Sequence, residues 1–272
     1  MNLKRSVESA ELLFEQILED FFTSVYDEKS LSSHGIDHHR RVWNNAKELL
    51  SVKNDSKSNL LPQFTLKLII ACYLHDIGIS VDSGIRHGKH SRKLCIDFLF
   101  KNNLPVREYE DLLETIENHD RKEYAGNSEV NELLTILSVA DDLDAFGFSG
   151  IYRYSEIYLM RGIKPELIGE NIIENATKRF DHFKKNFGFN NSLIQKHSKR
   201  FDILIRFFRE YNKQVPSYHF DGQHLYGYCG VVEIFIQMIE NKNKFNEIYS
   251  EPEKYTADQV IQWFFNGLKT DL

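Results

Sequence analysis

The sequence predicts an all-α protein. Apolar residues recur at three- and four-residue spacing along most of the 272 residues, whereas the alternation that marks β-strands is almost absent. Five prolines separate these periodic stretches. Helices are therefore expected, to within about 2–4 residues at each end, over residues 6–26, 38–51, 64–76, 88–102, 106–118, 128–146, 149–160, 166–187, 190–213, 229–243 and 256–268.

The N-terminal segment is expected to be an amphipathic helix rather than a signal peptide or a membrane span. Acidic residues interrupt the apolar runs of MNLKRSVESAELLFEQILEDFF, so the unbroken apolar core of either type is missing. The three cysteines are odd in number, widely spaced and surrounded by apolar residues, which is typical of reduced core thiols in the cytosol. Together these features predict a cytoplasmic protein with no membrane partner.

The charge of the chain bears on its partners. The formal net charge is −6, whereas proteins that bind nucleic acids or membrane surfaces usually present a concentrated positive field. The charge therefore argues against a nucleic-acid partner, and a small molecule is expected instead. The sequence leaves open a homo-oligomer.

The helical pattern continues beyond residue 164 without a linker that would separate an independent domain. We therefore expect a helical core over residues 1–164, including the N-terminal helix, and a C-terminal helical extension over residues 165–272 that packs on it. One span, SYHFDGQHLYGYCG, has three glycines and four aromatic residues and is predicted to be a loop. Its His219, Asp221 and His224 have the composition of a metal site, and their role is left open.

Two segments carry the first candidate site residues. His38 lies in SSHGIDHHRRVWNN, where His39 is rotated by about 100° and is expected to point outward. The pair His75 and Asp76 ends the apolar run LKLIIACYLHDIG. Burying an imidazole and a carboxylate there is costly unless they pair with each other or bind a cation. Both alternatives remain open from this segment alone.

A third apolar segment, ELLTILSVADDLDAFG, is predicted to be a helix, and it contains three acidic residues shortly before Gly147: Asp141, Asp142 and Asp144. Asp141 continues the buried face set by Ile136, Leu137 and Ala140, whereas Asp142 is rotated by about 100° and is expected to face solvent. Acids near a helix C-terminus oppose the helix dipole, so a compensating cation is expected. Asp141 is therefore the inward-facing candidate.

The order H…HD…D carries a family resemblance. With H-x-x-R-V at the first histidine and A-D-D-L-D-A at the last aspartate, the chain resembles the HD superfamily of metal-dependent phosphohydrolases from about Ser33 to Arg161. GIYRY after ADDLDAFG looks like the matching segment of uncharacterised bacterial HD hydrolases. The resemblance implies an HD-domain helical bundle with a C-terminal helical extension. The metal ligands that it implies are His38, His75, Asp76 and Asp141.

Two imidazoles and two carboxylates suit a divalent ion such as Mn²⁺, Fe²⁺, Co²⁺, Ni²⁺, Zn²⁺ or Mg²⁺. Such an ion activates water and polarises a phosphoryl oxygen, which are the two needs of phosphate-ester hydrolysis. Dinuclear relatives place further histidines where this chain has His90 and His119, which implies one ion, or two bridged by Asp76. In mononuclear relatives such histidines contact the substrate phosphate instead, and both roles remain open. His87 could likewise serve either the metal or the substrate. Asp76, His119 and His90 are therefore the predicted catalytic residues.

Three cations near these motifs suit an anionic substrate and are predicted to bind it: Lys89, Arg121 and Arg153. The leading hypothesis is a metal-dependent phosphohydrolase that cleaves a phosphate ester or nucleotide with metal-activated water. Two alternatives are a mixed-valent di-iron oxygenase of the same superfamily and a non-catalytic nucleotide-sensing module. The sequence contains no G-x-x-x-x-G-K-[ST] loop, serine-nucleophile elbow or C-x-x-C pair, which argues against nucleotide motors, α/β-hydrolases and zinc ribbons.

Overall fold

The computed structural model describes residues 3–26, 31–54, 62–82, 84, 86–120, 131–241 and 258–271. All regular structure within these ranges is helical, which confirms the predicted all-α class. The α-helices of this part of the chain are α1 (Leu3–Val25), α2 (Ile36–Asn54), α3 (Pro62–Leu74), α4 (His87–Lys101), α5 (Glu110–Asn118), α6 (Glu132–Asp144), α7 (Gly147–Met160), α8 (Pro165–Phe187), α9 (Asn191–Gln214), α10 (Gly227–Glu240) and α11 (Gln259–Asp271).

Within the described residues the observed helices lie close to the predicted ones, with two differences that matter for the site; the predicted helical residues 128–130, 242–243 and 256–257 lie outside the described residues. The helix predicted over residues 106–118 divides into a short 3₁₀ turn, Val106–Tyr109, and α5. The helix predicted over residues 64–76 ends earlier, at Leu74. His75 and Asp76 therefore lie beyond the end of α3 rather than inside it.

The chain divides into two compact units at a place that differs from the predicted boundary. The first unit comprises Met1–Ser30 and His34–Asp141, and the second comprises Leu31–Ser33 and Asp142–Leu272. Helix α7, expected in the core that ends at residue 164, belongs to the second unit. Tertiary contacts explain this assignment, because α7 packs against α8, α9, α10 and α11.

Helix α3 is the centre of the first unit. Helices α1, α2 and α5 all pack against it, and α4 packs against α5 and the turn Ile77–Ser80 that follows α3. Thr65 and every residue from 68 to 74 are buried. A helical segment that is apolar on all sides belongs in a core, so the position of the second half of α3 follows from its composition. The end of this central helix is consequently buried as well.

The second unit has an aromatic core. Helix α9 packs against α7, α8 and α10, and α10 also packs against α11. Phe180 stacks on Phe201 with ring centroids 4.3 Å apart, and Phe235 lies edge-on to Phe264 at 5.3 Å.

The three cysteines of the chain are buried and form no disulfide, as predicted. None of the described helices combines the length and apolar character that a membrane crossing requires.

Candidate metal centre

The candidate centre is built around the turn that follows α3. His75 and Asp76 are both buried there. The next glycine, Gly78, lies against the start of α4, where a Cβ would come within 2.3 Å of the carbonyl oxygen of His87. Glycine is the residue that permits this approach of two backbones. The start of α4 is thereby brought to Asp76, and His87 Nε2 lies 3.4 Å from Asp76 Oδ1.

A second glycine joins α4 to the end of α5. A Cβ on Gly88 would lie 2.5 Å from the carbonyl oxygen of Glu117, so any side chain there would force the two backbones apart. His119 follows directly on α5 and is buried. Because α4 and α5 meet at Gly88, the Nε2 atoms of His87 and His119 lie 3.4 Å apart.

Helices α2 and α6 supply the two remaining side chains. His38 lies in the first turn of α2 and Asp141 in the last turn of α6, and both are buried. Asn45 of α2 donates a hydrogen bond to the carbonyl oxygen of Ala140 at 3.0 Å. This bond links α2 and α6 one residue before Asp141, and Asp141 Oδ1 lies 3.8 Å from His38 Nε2.

Donor atoms of four residues, His38, His75, Asp76 and Asp141, lie within 4.8 Å of one another. The two Nε2 atoms are 3.3 Å apart, and Asp76 Oδ2 lies 3.7 Å from the first and 3.5 Å from the second. Asp141 Oδ1 lies 3.8 Å from both. Ligand atoms about 2.0–2.2 Å from a tetrahedral ion are about 3.3–3.6 Å apart. The observed spacing therefore fits one divalent ion between these four residues.

A donor atom of His39 also lies within 4.8 Å of those of His38 and His75, and a second group shares Asp76 and consists of Asp76, His87 and His119. Asp76 Oδ1 lies 2.9 Å from His119 Nε2 and 3.4 Å from His87 Nε2. The other oxygen, Oδ2, faces His38 and His75. One carboxylate thus presents one oxygen to each group, which is the arrangement that a bridging ligand needs.

Three of the histidines have their ring orientation set by the backbone. Nδ1 of His75 donates to the carbonyl oxygen three residues earlier at 3.0 Å, and His87 and His119 do the same at 2.7 Å each. A carbonyl oxygen only accepts, so Nδ1 carries the proton in each ring. The Nε2 atoms of all three rings therefore face Asp76, and each is a metal-ligand atom once it is deprotonated.

The charges of the site favour an ionised carboxylate. Burial alone would raise the pKa of Asp76, but the imidazoles of His75 and His119 hold that pKa well below its ordinary value. Burial also lowers the pKa of His75, against the attraction of Asp76. For His87, burial is outweighed by Asp76, which raises its pKa to about 9, and the pKa of His119 is raised for the same reason.

The predicted site residues fall into two sets. The structure brings together five of them: His38, His75, Asp76, Asp141 and His119. His90 is not in either group within the described residues, and His87 stands where His90 was expected. The reason is the position along α4, because His87 is its first residue and lies at the Gly78 contact, whereas half-buried His90 lies almost one turn further on.

The predicted substrate-binding cations occupy different environments. Lys89 is exposed on α4. Arg153 is buried in α7 and forms an ion pair with Asp144 at 3.5 Å, so its charge is already balanced inside the second unit. Arg121 lies outside the described residues.

Two orientations predicted from helical phase are wrong. His39 is fully buried rather than outward-facing, and its Nδ1 lies 3.0 Å from the carbonyl oxygen of Cys72. Asp142 is buried rather than facing solvent, because residues of α8 cover it. Its carboxylate contacts Arg179 at 2.9 Å and His182 at 2.8 Å. Helical phase locates a side chain around one helix but does not indicate which neighbouring helix covers it.

The loop at residues 218–226 contributes no residue to the donor groups found among the described residues. Its His219, Asp221 and His224 are exposed and are not among the clustered donor atoms of the described residues. Buried Glu233 holds the loop by accepting hydrogen bonds from the Tyr218 hydroxyl and the Gly222 backbone. The polar partner that organises this loop is therefore a carboxylate of α10.

Comparisons with known proteins agree with this architecture. A family model described as the HD domain matches residues 35–145, which include every member of both donor groups. The chain is also similar to a Lactobacillus plantarum protein whose crystal structure was a structural-genomics target, with a TM-score of 0.51, 19% identity, and coverage of 74% of this chain and 96% of that chain. At this identity the likeness shows the fold alone. No curated protein matches the chain.

Proposed function

We propose that this protein, whose residues 35–145 match the HD-domain family model, is a metal-dependent phosphohydrolase that cleaves a phosphate ester or nucleotide. One observation carries the proposal: four buried donor atoms of His38, His75, Asp76 and Asp141 lie within 4.8 Å of one another. Buried charges of this kind are retained where they pair or bind a cation. Two carboxylates and two imidazoles supply the charge and the donors that a divalent ion takes.

The residues of the site have distinct tasks in this proposal. Asp76 and Asp141 balance the charge of an ion, and His38 and His75 supply Nε2 donors. A bound divalent ion would lower the pKa of water and polarise a phosphoryl oxygen, which is the chemistry of phosphate-ester hydrolysis. Burial of all four side chains strengthens their attraction for an ion. Lys89 is exposed on α4, two residues after His87, and is proposed to meet the anionic substrate.

We further propose that the site takes a second ion on Asp76, His87 and His119. His87→Ala is expected to lower the number of bound Co²⁺ ions from about two to about one, because it removes one of the two imidazole donors beside Asp76 Oδ1. His90→Ala is the matched control, since His90 belongs to the same helix but to neither group, and it should retain about two ions. Elemental analysis of protein dialysed against Co²⁺ measures both.

An unchanged stoichiometry in the His87→Ala variant, together with a raised KM, would instead assign His87 and His119 to the substrate phosphate. Their Nε2 atoms would then act as hydrogen-bond donors, in keeping with the raised pKa of both rings beside Asp76. Loss of an ion from the His90→Ala variant would contradict the assignment made here.

The reaction class is testable without knowing the substrate. With Mn²⁺, Co²⁺ or Mg²⁺ under argon, the protein is expected to release inorganic phosphate from at least one member of a panel of phosphomonoesters, phosphodiesters and nucleotides. Neither water activation nor phosphoryl polarisation requires a redox-active metal. Phosphate release is measured colorimetrically, and Asp76→Ala protein serves as the blank.

The alternatives give different results in the same panel. A di-iron oxygenase should consume O₂ with iron bound and should be inactive with Mg²⁺ under argon. A nucleotide-sensing module should bind a nucleotide without turning it over. Substrate-dependent O₂ uptake, or binding without phosphate release under every metal, would replace the hydrolase assignment.

A further inference from the structure

The carbonyl oxygen of Cys72 accepts hydrogen bonds from two imidazole rings. Cys72 lies in the last turn of α3, where backbone carbonyl groups have no partner within the helix. Nδ1 of His75 lies 3.0 Å from this oxygen, and Nδ1 of His39 lies 3.0 Å from it as well. A carbonyl oxygen has two lone pairs and only accepts. Both rings therefore carry their proton on Nδ1 and share one acceptor.

His39 links α2, which carries His38, to the end of α3, which immediately precedes His75. It is the residue after His38 on α2, and its ring reaches the end of α3, which is followed by His75. Adjacent residues on a helix point about 100° apart. One turn of α2 therefore presents His38 to the donor group and His39 to the backbone that precedes His75.

Packing alone does not account for an imidazole at this position. His39 is fully buried, and its ring lies against Phe22, with centroids 4.6 Å apart. Its Nε2 has no hydrogen-bond partner among the described residues. A leucine or phenylalanine would fill apolar space without burying an unpaired nitrogen. What an apolar side chain would lack is the Nδ1 donor to Cys72.

We propose that His39 is a positioning residue, which ties α2 to the end of α3 through the Cys72 carbonyl and thereby sets the placement of His38 relative to His75. Those two rings have Nε2 atoms 3.3 Å apart, so a small shift of either helix changes the fit of an ion. Partners that orient metal ligands typically affect metal affinity by about 10–100-fold. The inference rests on the proposed metal site.

The test compares three variants with Co²⁺ as the probe. His39→Asn places an amide donor near the position of Nδ1, His39→Gln places it one methylene further out, and His39→Leu removes it. The measurements are the Co²⁺ dissociation constant, by competition with a chelator, and the visible absorption spectrum of bound Co²⁺. The asparagine variant is expected to stay within about threefold of wild type, whereas the other two lose about 10–100-fold in affinity and change their spectra.

The controls separate positioning from general loss of a buried ring. His197→Leu removes a fully buried histidine from α9 in the second unit, and it should leave Co²⁺ affinity unchanged. If His39→Leu does not fold, the asparagine and glutamine pair alone decides, since both are polar and differ by one methylene. Wild-type affinity and spectrum in the glutamine variant would overturn the proposal, as would equal weakening in the asparagine variant. A wild-type protein that binds no Co²⁺ would overturn the metal site itself.

Discussion

Asp76→Ala is expected to abolish metal uptake and to lower turnover by at least about a thousandfold. Asp76 is the one residue shared by both donor groups, with Oδ2 facing His38 and His75 and Oδ1 facing His87 and His119. A catalytic ion is worth several kcal/mol of transition-state stabilisation, and each 1.36 kcal/mol is about tenfold in rate. Metal content is measured by elemental analysis, and turnover by phosphate release.

The matched control for this loss is Asp97→Ala. Asp97 is exposed on α4, so its removal changes the net charge equally without touching the donor groups. Circular dichroism of both variants should retain the helical signal of wild type, because Asp76 lies beyond the end of α3. Full metal occupancy in folded Asp76→Ala protein would show that Asp76 is not a metal ligand. The second donor group would then have no carboxylate ligand.

Asp142→Ala is expected to lower the free energy of unfolding by about 3 kcal/mol. Asp142 is buried, and its carboxylate accepts from Arg179 and from His182, at 2.9 Å and 2.8 Å. Removing one partner of a buried ion pair leaves an uncompensated charge, which costs more than the pair contributes. Arg179 keeps 13% side-chain exposure, which places the effect at the low end of the usual range. Urea denaturation measures the change.

Asp181→Ala provides the comparison for this destabilisation. Asp181 lies on α8, is 63% exposed, and pairs with Lys184 three residues later, so its loss should cost less than about 0.5 kcal/mol. A change of similar size in both variants would mean that the Asp142 contacts add no more than a surface ion pair. Two separate transitions in the urea unfolding curve would indicate that the two units unfold independently.

By itself, the sequence determined the helical class, the approximate bounds of the helices and the pattern H…HD…D. These properties are local. The three- and four-residue spacing of apolar residues describes one helix at a time. The apolar run over residues 68–74 of α3 predicts a buried helix end, at which His75 and Asp76 are also buried. A charged pair at such a place is costly, which is why the pattern pointed to a cation before any contact was known.

The tertiary structure alone decided which neighbour meets each side chain. His87 rather than His90 reaches Asp76 because Gly78 and Gly88 let three backbones approach, and no helical periodicity reports that approach. Asp142 and His39 show the same limit. Helical phase predicted that both side chains are exposed, but α8 covers Asp142 and the end of α3 covers His39. The physical reason is that burial depends on the whole set of packed helices, whereas periodicity describes the angle of a residue around one axis.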